Sequence, residues 1–252
     1  MTMTRLQIIA ARFAMLAVVL GAWEFLPRNN IVNPLLLPPL SDVVAMLAEL
    51  LGQPRVHEAL GVTALEVLVA FMIAVPLGAV IGVVIAENEY IGDIFKPMLF
   101  YVFSIPKSIF LPMFILIFGI GFPLKVAYAA FTTTFVVLMS AAAAVESVKA
   151  EHILVARSYG ATRPQILMRI YVPSMMPMLL EALRISMIFN FTGVMIAEMY
   201  ASRTGIGHLI ANWGENFQMK QLFAGVIMLA TVAILFNEAV RFLEARCSTW
   251  RT

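Results

Sequence analysis

Apolar residues in this chain come in blocks too long for strands and too continuous for one stripe of a surface helix. Runs of this kind lie approximately at residues 8–26, 61–85, 97–119, 123–145, 174–199 and 221–243, separated by short polar segments. At 1.5 Å per residue, about 20 helical residues cross a hydrocarbon core of ~30 Å. The pattern therefore predicts an all-α polytopic membrane protein with six transmembrane helices, forming a single domain over residues 1–252. Arg5 and Arg12 precede the first run as they would in a secretory signal. No small-x-small cleavage site follows VVLGAWEFLP, so the run is expected to be a retained span.

Two amphipathic segments stand apart from the spans. In LLLPPLSDVVAMLAELLG a Pro-Pro break precedes Ser41 as an N-cap, Asp42 in the first turn and Gly52 as a stop. Val43, Val44, Met46, Leu47, Leu50 and Leu51 between them are too apolar for water, which predicts a short helix at the membrane surface or packed on the bundle. The longest segment between spans is residues 146–173, ESVKAEHILVARSYGATRPQILMRIYVP. Its first half reads as a helix ending near Tyr159, closed by Gly160. Thr162 and Gln165 then form a T-x-x-Q capping box ahead of Ile166, Leu167 and Ile170, while Pro173 and Pro177 mark entry to the fifth span. The result is a compact knob with Ile153, Leu154, Ala156 and Tyr159 on one face and Arg157 and Arg163 beside the turn. It either links two spans or docks into a groove on a cytoplasmic partner.

Composition narrows the class. Hydrophobic residues make up 62% of the chain and charged ones 13%, about half the usual share, which excludes a water-soluble fold. A net charge of +2 offers no nucleic-acid-binding surface. A single cysteine, Cys247, and three scattered histidines, His57, His152 and His208, give neither a disulfide framework nor a metal-ligand spacing. Neither a G-x-x-x-x-G-K-[ST] phosphate loop nor a G-x-S-x-G turn occurs, so an energy source other than an ion gradient must sit on another chain.

Orientation follows from the basic residues. Arg5, Arg12, Lys96, Lys149, Arg157, Arg163, Arg169, Arg241, Arg246 and Arg251 fall on the side of the termini. Arg28, Arg55, Lys125, Arg203 and Lys220 fall on the opposite side, and the bias predicts that both termini are cytoplasmic. Trp23, Trp213 and Trp250 sit near the predicted interfaces.

Glu66, Lys107, Glu181, Arg184 and Glu198 lie inside predicted spans, where each charge costs at least about 2.5 kcal/mol against lipid. They are expected to face protein or water. Glu181 and Arg184 are three residues apart and can pair on one helix face. Lys107 follows Pro106 at a kink; it either pairs with a helix carbonyl or Glu66, or lends positive charge to a water path that favours an anionic solute. Glu198 leads into a loop with Gly205 and Gly207, glycines that permit tight turns and close backbone approach.

The knob resembles the cytoplasmic loop of ABC importer permeases, which reads E-A-A, three residues, G, nine residues, I-x-L-P. LVARSYG is followed by ATRPQILMR and IYVP, so Gly160, Ile170 and Pro173 fall at the family positions and Ala156 matches the second alanine. Leu154 stands where the family has glutamate, Val155 takes the first alanine position and Val172 the leucine position, while Glu151 lies one helical turn earlier and can replace the glutamate. SIPKSIFLPMFILIFGIG, AEMYASRTGIGHLI and LLLPPLSDVV are similar to segments of the branch that carries nitrate, sulfonates and taurine, a resemblance extending over roughly residues 35–245.

The resemblance implies a type I permease that imports a small anionic solute by alternating access. It would pair with a second copy of itself, rest on two ATP-binding subunits that hold ATP and magnesium, and receive solute from an extracytoplasmic binding protein. Glu151, Leu154, Val155, Ala156, Arg157, Gly160, Ala161, Ile170 and Pro173 would form the ATPase-coupling surface, and Lys107 and Glu198 a pathway or gate. The chain itself would hold no cofactor and catalyse no reaction, in a bacterial inner membrane. An ion-coupled secondary transporter is the alternative, and a membrane-embedded enzyme lacks the converging residues it would need.

Overall fold

The computed structural model describes residues 5–148 and 150–247; Lys149, Trp250 and Arg251 lie outside them. Among the described residues the secondary structure is entirely helical. In chain order the helices are α1 (Arg5–Arg28), α2 (Leu40–Leu51), α3 (Pro54–Glu87), α4 (Glu89–Ser104), α5 (Leu111–Phe118), α6 (Phe122–Glu146), α7 (Ala150–Ser158), α8 (Arg163–Ile166), α9 (Val172–Ala201), α10 (Ile206–Glu215) and α11 (Met219–Cys247). Of these, α1, α3, α6, α9 and α11 are long and apolar enough to cross a membrane unbroken.

The third apolar run is not one helix. Its two halves, Tyr90–Ser104 and Lys107–Phe118, meet at 88°, so the run expected over 97–119, with its kink at Pro106, is two helices set nearly at right angles. The cause is local. Pro106 keeps Ile105 out of the helical region, at φ −74° and ψ 128°, and carries no N–H to continue the ladder. A 3₁₀ turn over Lys107–Phe110 restarts the chain in a new direction, and Gly119, at φ +67°, closes α5.

The surface helix packs on the bundle, with Val43 and Leu50 buried beside α3, α10 and α11. Ser41, expected as its N-cap, does not take that place; the cap position falls on Pro39, which supplies no side-chain acceptor. Glu24 of α1 serves instead, its Oε2 accepting the Ser41 N–H at 2.9 Å and its Oε1 the Ser41 hydroxyl at 2.9 Å. Asp42 pairs with Lys220 of α11 at 2.7 Å.

The core lies where α3, α6 and α9 meet, and small residues make that meeting close. Lipid chains are as apolar as leucine, so spans associate through packing rather than a hydrophobic drive. Gly78 and Gly82 form a G-x-x-x-G face on α3. A Cβ built on Gly78 would stand 2.8 Å from both Thr134 O and the Val137 Cβ, and one on Gly82 would meet Leu138 O and stand 2.8 Å from the Ala141 Cβ. Gly193 of α9 approaches Ala129 and Thr132 in the same way. Around this trio α1, α4, α5 and α11 expose apolar flanks, among them Phe13, Phe100, Leu116 and Leu235.

Two ends are thereby defined. Val83, Ala86, Val145, Val148 and Met175 cluster at the end that carries α7, while Val43, Val56, Ala59, Ile206 and Leu209 cluster at the other. Replacing Gly82 with valine is expected to lower stability by about 1–3 kcal/mol, as overpacking of a tight core does. Thermal unfolding in detergent checks this; an unchanged midpoint would mean that the α3 and α6 backbones are free to separate.

Candidate functional site

The knob between α6 and α9 is built from its caps upward. Ala161 N–H donates to Ala156 O at 3.0 Å and Gly160 N–H to Arg157 O at 2.9 Å, the two bonds of a Schellman closure. That closure needs a left-handed residue, and Gly160 has φ +77°. The Thr162 N–H donates to Gln165 Oε1 at 2.8 Å, the backward arm of the capping box. A single π-helical turn, Leu167–Tyr171, joins α8 to α9, whose first turn contains Pro173.

Side chains sort into two faces. Ile153 and Ile170 turn inward onto Val145, Val148 and Met175, fixing the knob to the ends of α6 and α9. Leu154 is 69% exposed, Val155 56% and Tyr159 89%. The single apolar face expected from Ile153, Leu154, Ala156 and Tyr159 is thus split, because the helix is held on its Ile153 side and presents the opposite side to solvent. Glu151 and Arg157 are exposed with Leu154, and Ala156 and Ala161 are half-buried. A cleft of about 700 Å³ runs beside the knob, lined by Glu87, Tyr90, Arg157, Leu167 and Tyr171.

At the bend, Lys107 opens the 3₁₀ turn and reaches back over the end of α4. Its ammonium donates to Val102 O at 2.9 Å, Phe103 O at 2.7 Å and Ile105 O at 2.9 Å, and lies 5.0 and 5.4 Å from the ring centres of Phe103 and Phe135. All three ammonium donors are used on carbonyls at the C-terminal end of α4 and the break. Glu66 is not its partner.

Glu66 pairs with Lys125 of α6, and both side chains have no exposed surface. The Lys125 ammonium also donates to Thr204 O at 3.3 Å and Thr204 Oγ1 at 3.1 Å. Glu198, also fully buried, accepts from the Thr63 hydroxyl at 2.7 Å through Oε1 and from the Gly207 N–H at 2.7 Å through Oε2. The Ile206 N–H donates to Thr63 Oγ1 at 3.0 Å. Glu198 therefore occupies the N-terminus of α10, where unpaired amides favour an anion. This arrangement explains both glycines, since a Cβ on Gly205 or Gly207 would overlap the Glu198 carboxylate, and Gly205 also has φ +100°. Oε2 of Glu66 is buried without a hydrogen-bond partner.

Lys125 is the functional residue whose burial sequence reasoning missed. Set just after Gly121-Phe122-Pro123, it reads as one of the basic residues at the end opposite the knob, with nothing local to announce its burial. The signal for it was Glu66, an intramembrane carboxylate that needs a buried cation. Glu181 and Arg184 form no ion pair with each other; Glu181 is exposed and Arg184 half-buried. Among the described residues no group of His, Cys, Asp and Glu gathers as a metal site.

Removing one member of a buried pair strands the other's charge, which typically costs about 3–5 kcal/mol. Lys125→Met is expected to destabilise by that order, and Lys125→Met with Glu66→Gln to recover most of it. Unfolding of the purified variants measures both; additive losses would show that the two side chains do not depend on each other.

The architecture has solved counterparts. An inward-facing structure of the MetNI methionine ABC transporter aligns with a TM-score of 0.60 at 18% identity, covering 88% of this chain and 99% of that one. A bacterial ABC transporter involved in import of the acidic polysaccharide alginate aligns with a TM-score of 0.67 at 15% identity, covering 96% and 99%. Among curated relatives, the taurine transport system permease protein TauC of Escherichia coli is 28% identical over 93% of this chain and 87% of its own length. The putative aliphatic sulfonates transport permease protein SsuC of Bacillus subtilis is 26% identical over 93% and 85%. Residues 74–249, a stretch that begins within α3 and includes all of α11, match the family of binding-protein-dependent transport system inner membrane components. With that match over most of its length, and five helices long and apolar enough to cross a membrane beside one sharply bent pair, the chain belongs to this family of ABC importer permeases.

Proposed function

We propose that this chain is the membrane permease of an ATP-driven importer that carries a small anionic organic solute, of the sulfonate or taurine class, into the cytoplasm by alternating access. The observation that carries the reading is the knob. Leu154, Val155 and Tyr159 stand exposed on a short helix whose other side is anchored on α6 and α9. Apolar side chains held out from a rigid support fit a groove on a partner. Glu151, one turn before Leu154 on the same face, supplies the carboxylate that the loop otherwise lacks.

The partner in this reading is a pair of ATP-binding subunits, which hold the ATP and magnesium and do the hydrolysis. This chain is then no enzyme. A second copy completes the pathway, and the exposed apolar flanks of α4 and α5 meet that copy or membrane lipid. The basic-residue bias supports a cytoplasmic position for both termini and the knob. The Glu198 cluster and α10 then face the extracytoplasmic binding protein, with Glu198 anchoring the gate. Lys107, its donors all engaged, adds positive charge beside the path and no hydrogen bond to solute. The taurine and sulfonate relatives support the solute class. An ion-coupled mechanism finds less support, because Lys125, Glu66, Lys107 and Glu198 are engaged within the fold rather than open to a travelling ion.

Co-purification tests the reading directly. The tagged chain, expressed with its neighbouring genes, is expected to retain an ATP-hydrolysing subunit; a chain that purifies alone and drives uptake without ATP would overturn it. Gly160→Pro removes the N–H bonded to Arg157 O and cannot take φ +77°, so it is expected to abolish uptake while leaving membrane insertion intact. Glu151→Ala is expected to lower uptake several-fold, and full uptake would remove Glu151 from the coupling contact.

A further inference from the structure

The charges set deep in the bundle are mostly committed to the fold itself: Glu66 to Lys125, Lys107 to backbone carbonyls and Glu198 to the N-terminus of α10. Glu181 and Arg184 are not, for among the described residues neither has an ion-pair or hydrogen-bond partner. Both lie on α9 inside its apolar stretch Met178–Ala201, about one and two turns in from the end that carries the knob. The core side of α9 is marked by buried Asn190, bonded to Thr133 of α6 and the Val67 carbonyl of α3. On the other side Met178, Glu181, Ile185, Ile188 and Thr192 recur every three or four residues as one exposed stripe, and Arg184 stands half-buried at its edge. Farther along this stripe, Ile188 and Thr192 line a hollow of about 100 Å³ against α11, together with Asn237, whose Oδ1 is buried without a hydrogen-bond partner among the described residues.

An unpaired carboxylate and an unpaired guanidinium are costly against lipid and cheap against water, and water inside a membrane lies in a passage through it. The stripe therefore faces the passage, with polar groups continuing along it at Thr192 and Asn237. The two charges also say what the passage holds there. Three positions apart on one helix, their Cβ atoms are ~5–6 Å from each other, and the side chains stay apart although they are within reach. A plain anion answers Arg184 and is repelled by Glu181, and a plain cation meets the reverse. A short amino sulfonate carries both charges within the same span and satisfies the two at once. Lys107 has no donor left for the sulfonate, whereas the forked donors of an unengaged arginine match an oxyanion.

We infer that Glu181 and Arg184 hold the solute in the knob-side part of the passage, Arg184 taking the sulfonate and Glu181 the ammonium of a zwitterionic amino sulfonate. This rests on the importer reading above and narrows its solute from an anion to a zwitterion. Because α9 starts at the π-turn beneath the knob, movement of the knob carries both charges with it.

The test uses the whole transporter in two measurements: ATP-dependent taurine uptake in vesicles with the binding protein, and solute binding to the nucleotide-free transporter in lipid nanodiscs without it. The binding probes are taurine, ethanesulfonate, which lacks the amine, and ethylamine, which lacks the sulfonate. Wild-type uptake comes first; none at all would sink the importer reading, which the binding measurement does not touch. The wild type is expected to bind taurine about tenfold or more tighter than either half-molecule. Arg184→Gln is expected to weaken taurine and ethanesulfonate about tenfold or more. Glu181→Gln is expected to bring taurine down to the level of ethanesulfonate while leaving ethanesulfonate within about twofold. Each variant is compared only where it still co-purifies with its ATP-binding subunits, so that a folding defect is not read as lost binding. The inference is overturned if Arg184→Gln binds taurine as the wild type does, as it would were Arg184 only meeting lipid headgroups. It is also overturned if Glu181→Gln weakens taurine and ethanesulfonate alike, which would make the two residues a contact between the copies, or if the wild type binds ethanesulfonate as tightly as taurine.

Discussion

A lysine and a glutamate with no exposed surface, Lys125 and Glu66, set the terms for the rest of this bundle. Burying either alone is prohibitive, and burying both is tolerable only with close contact and further hydrogen bonds. Their pairing holds α3 and α6 in one register. Lys125 also reaches Thr204, and Thr63, one turn from Glu66, reaches Glu198. Through these few atoms α9 and α10 are bound to the same point, although the residues involved are up to 143 positions apart in sequence.

Backbone approach supplies the complementary constraint. The glycines of α3 let α6 come close enough for dispersion to act over a long interface, and Gly205 and Gly207 leave the space that the Glu198 carboxylate fills. Larger residues at these sites would separate the helices and loosen the ionic contacts with them. Small residues and buried charges therefore belong to one arrangement, the former making room for the latter.

The long helices connect the two ends. α9 runs without a break from the π-turn beneath the knob to within a few residues of Glu198's partners, and α6 runs from Lys125 to Glu146, which pairs with Lys96 of α4 at 2.6 Å. In the proposed mechanism, movement of the knob on an ATP-binding subunit reaches the opposite face through these rods, since packed helices shift as bodies rather than bend. Between α7 and α9, the turn at Gly160 and the π-turn depart from regular α-helix.

Much of this was legible in the residues. Five of the six spans, the surface helix and the two caps of the knob follow from apolar run length, Gly160, Thr162 and Gln165, because helix formation across lipid and helix termination are decided within a few residues. Pro106 announced a kink but not its 88° size, which depends on how the 3₁₀ turn and α5 pack against α6. What only the tertiary structure decided is partnership. Ser41 yielded its cap to Glu24, Glu181 and Arg184 did not pair, Lys107 went to carbonyls, and Glu66 chose Lys125, because a charge takes the partner that packing brings within a few ångströms. Sequence spacing governs such distances only within one helix, while across helices they are set by where the glycines let the backbones meet.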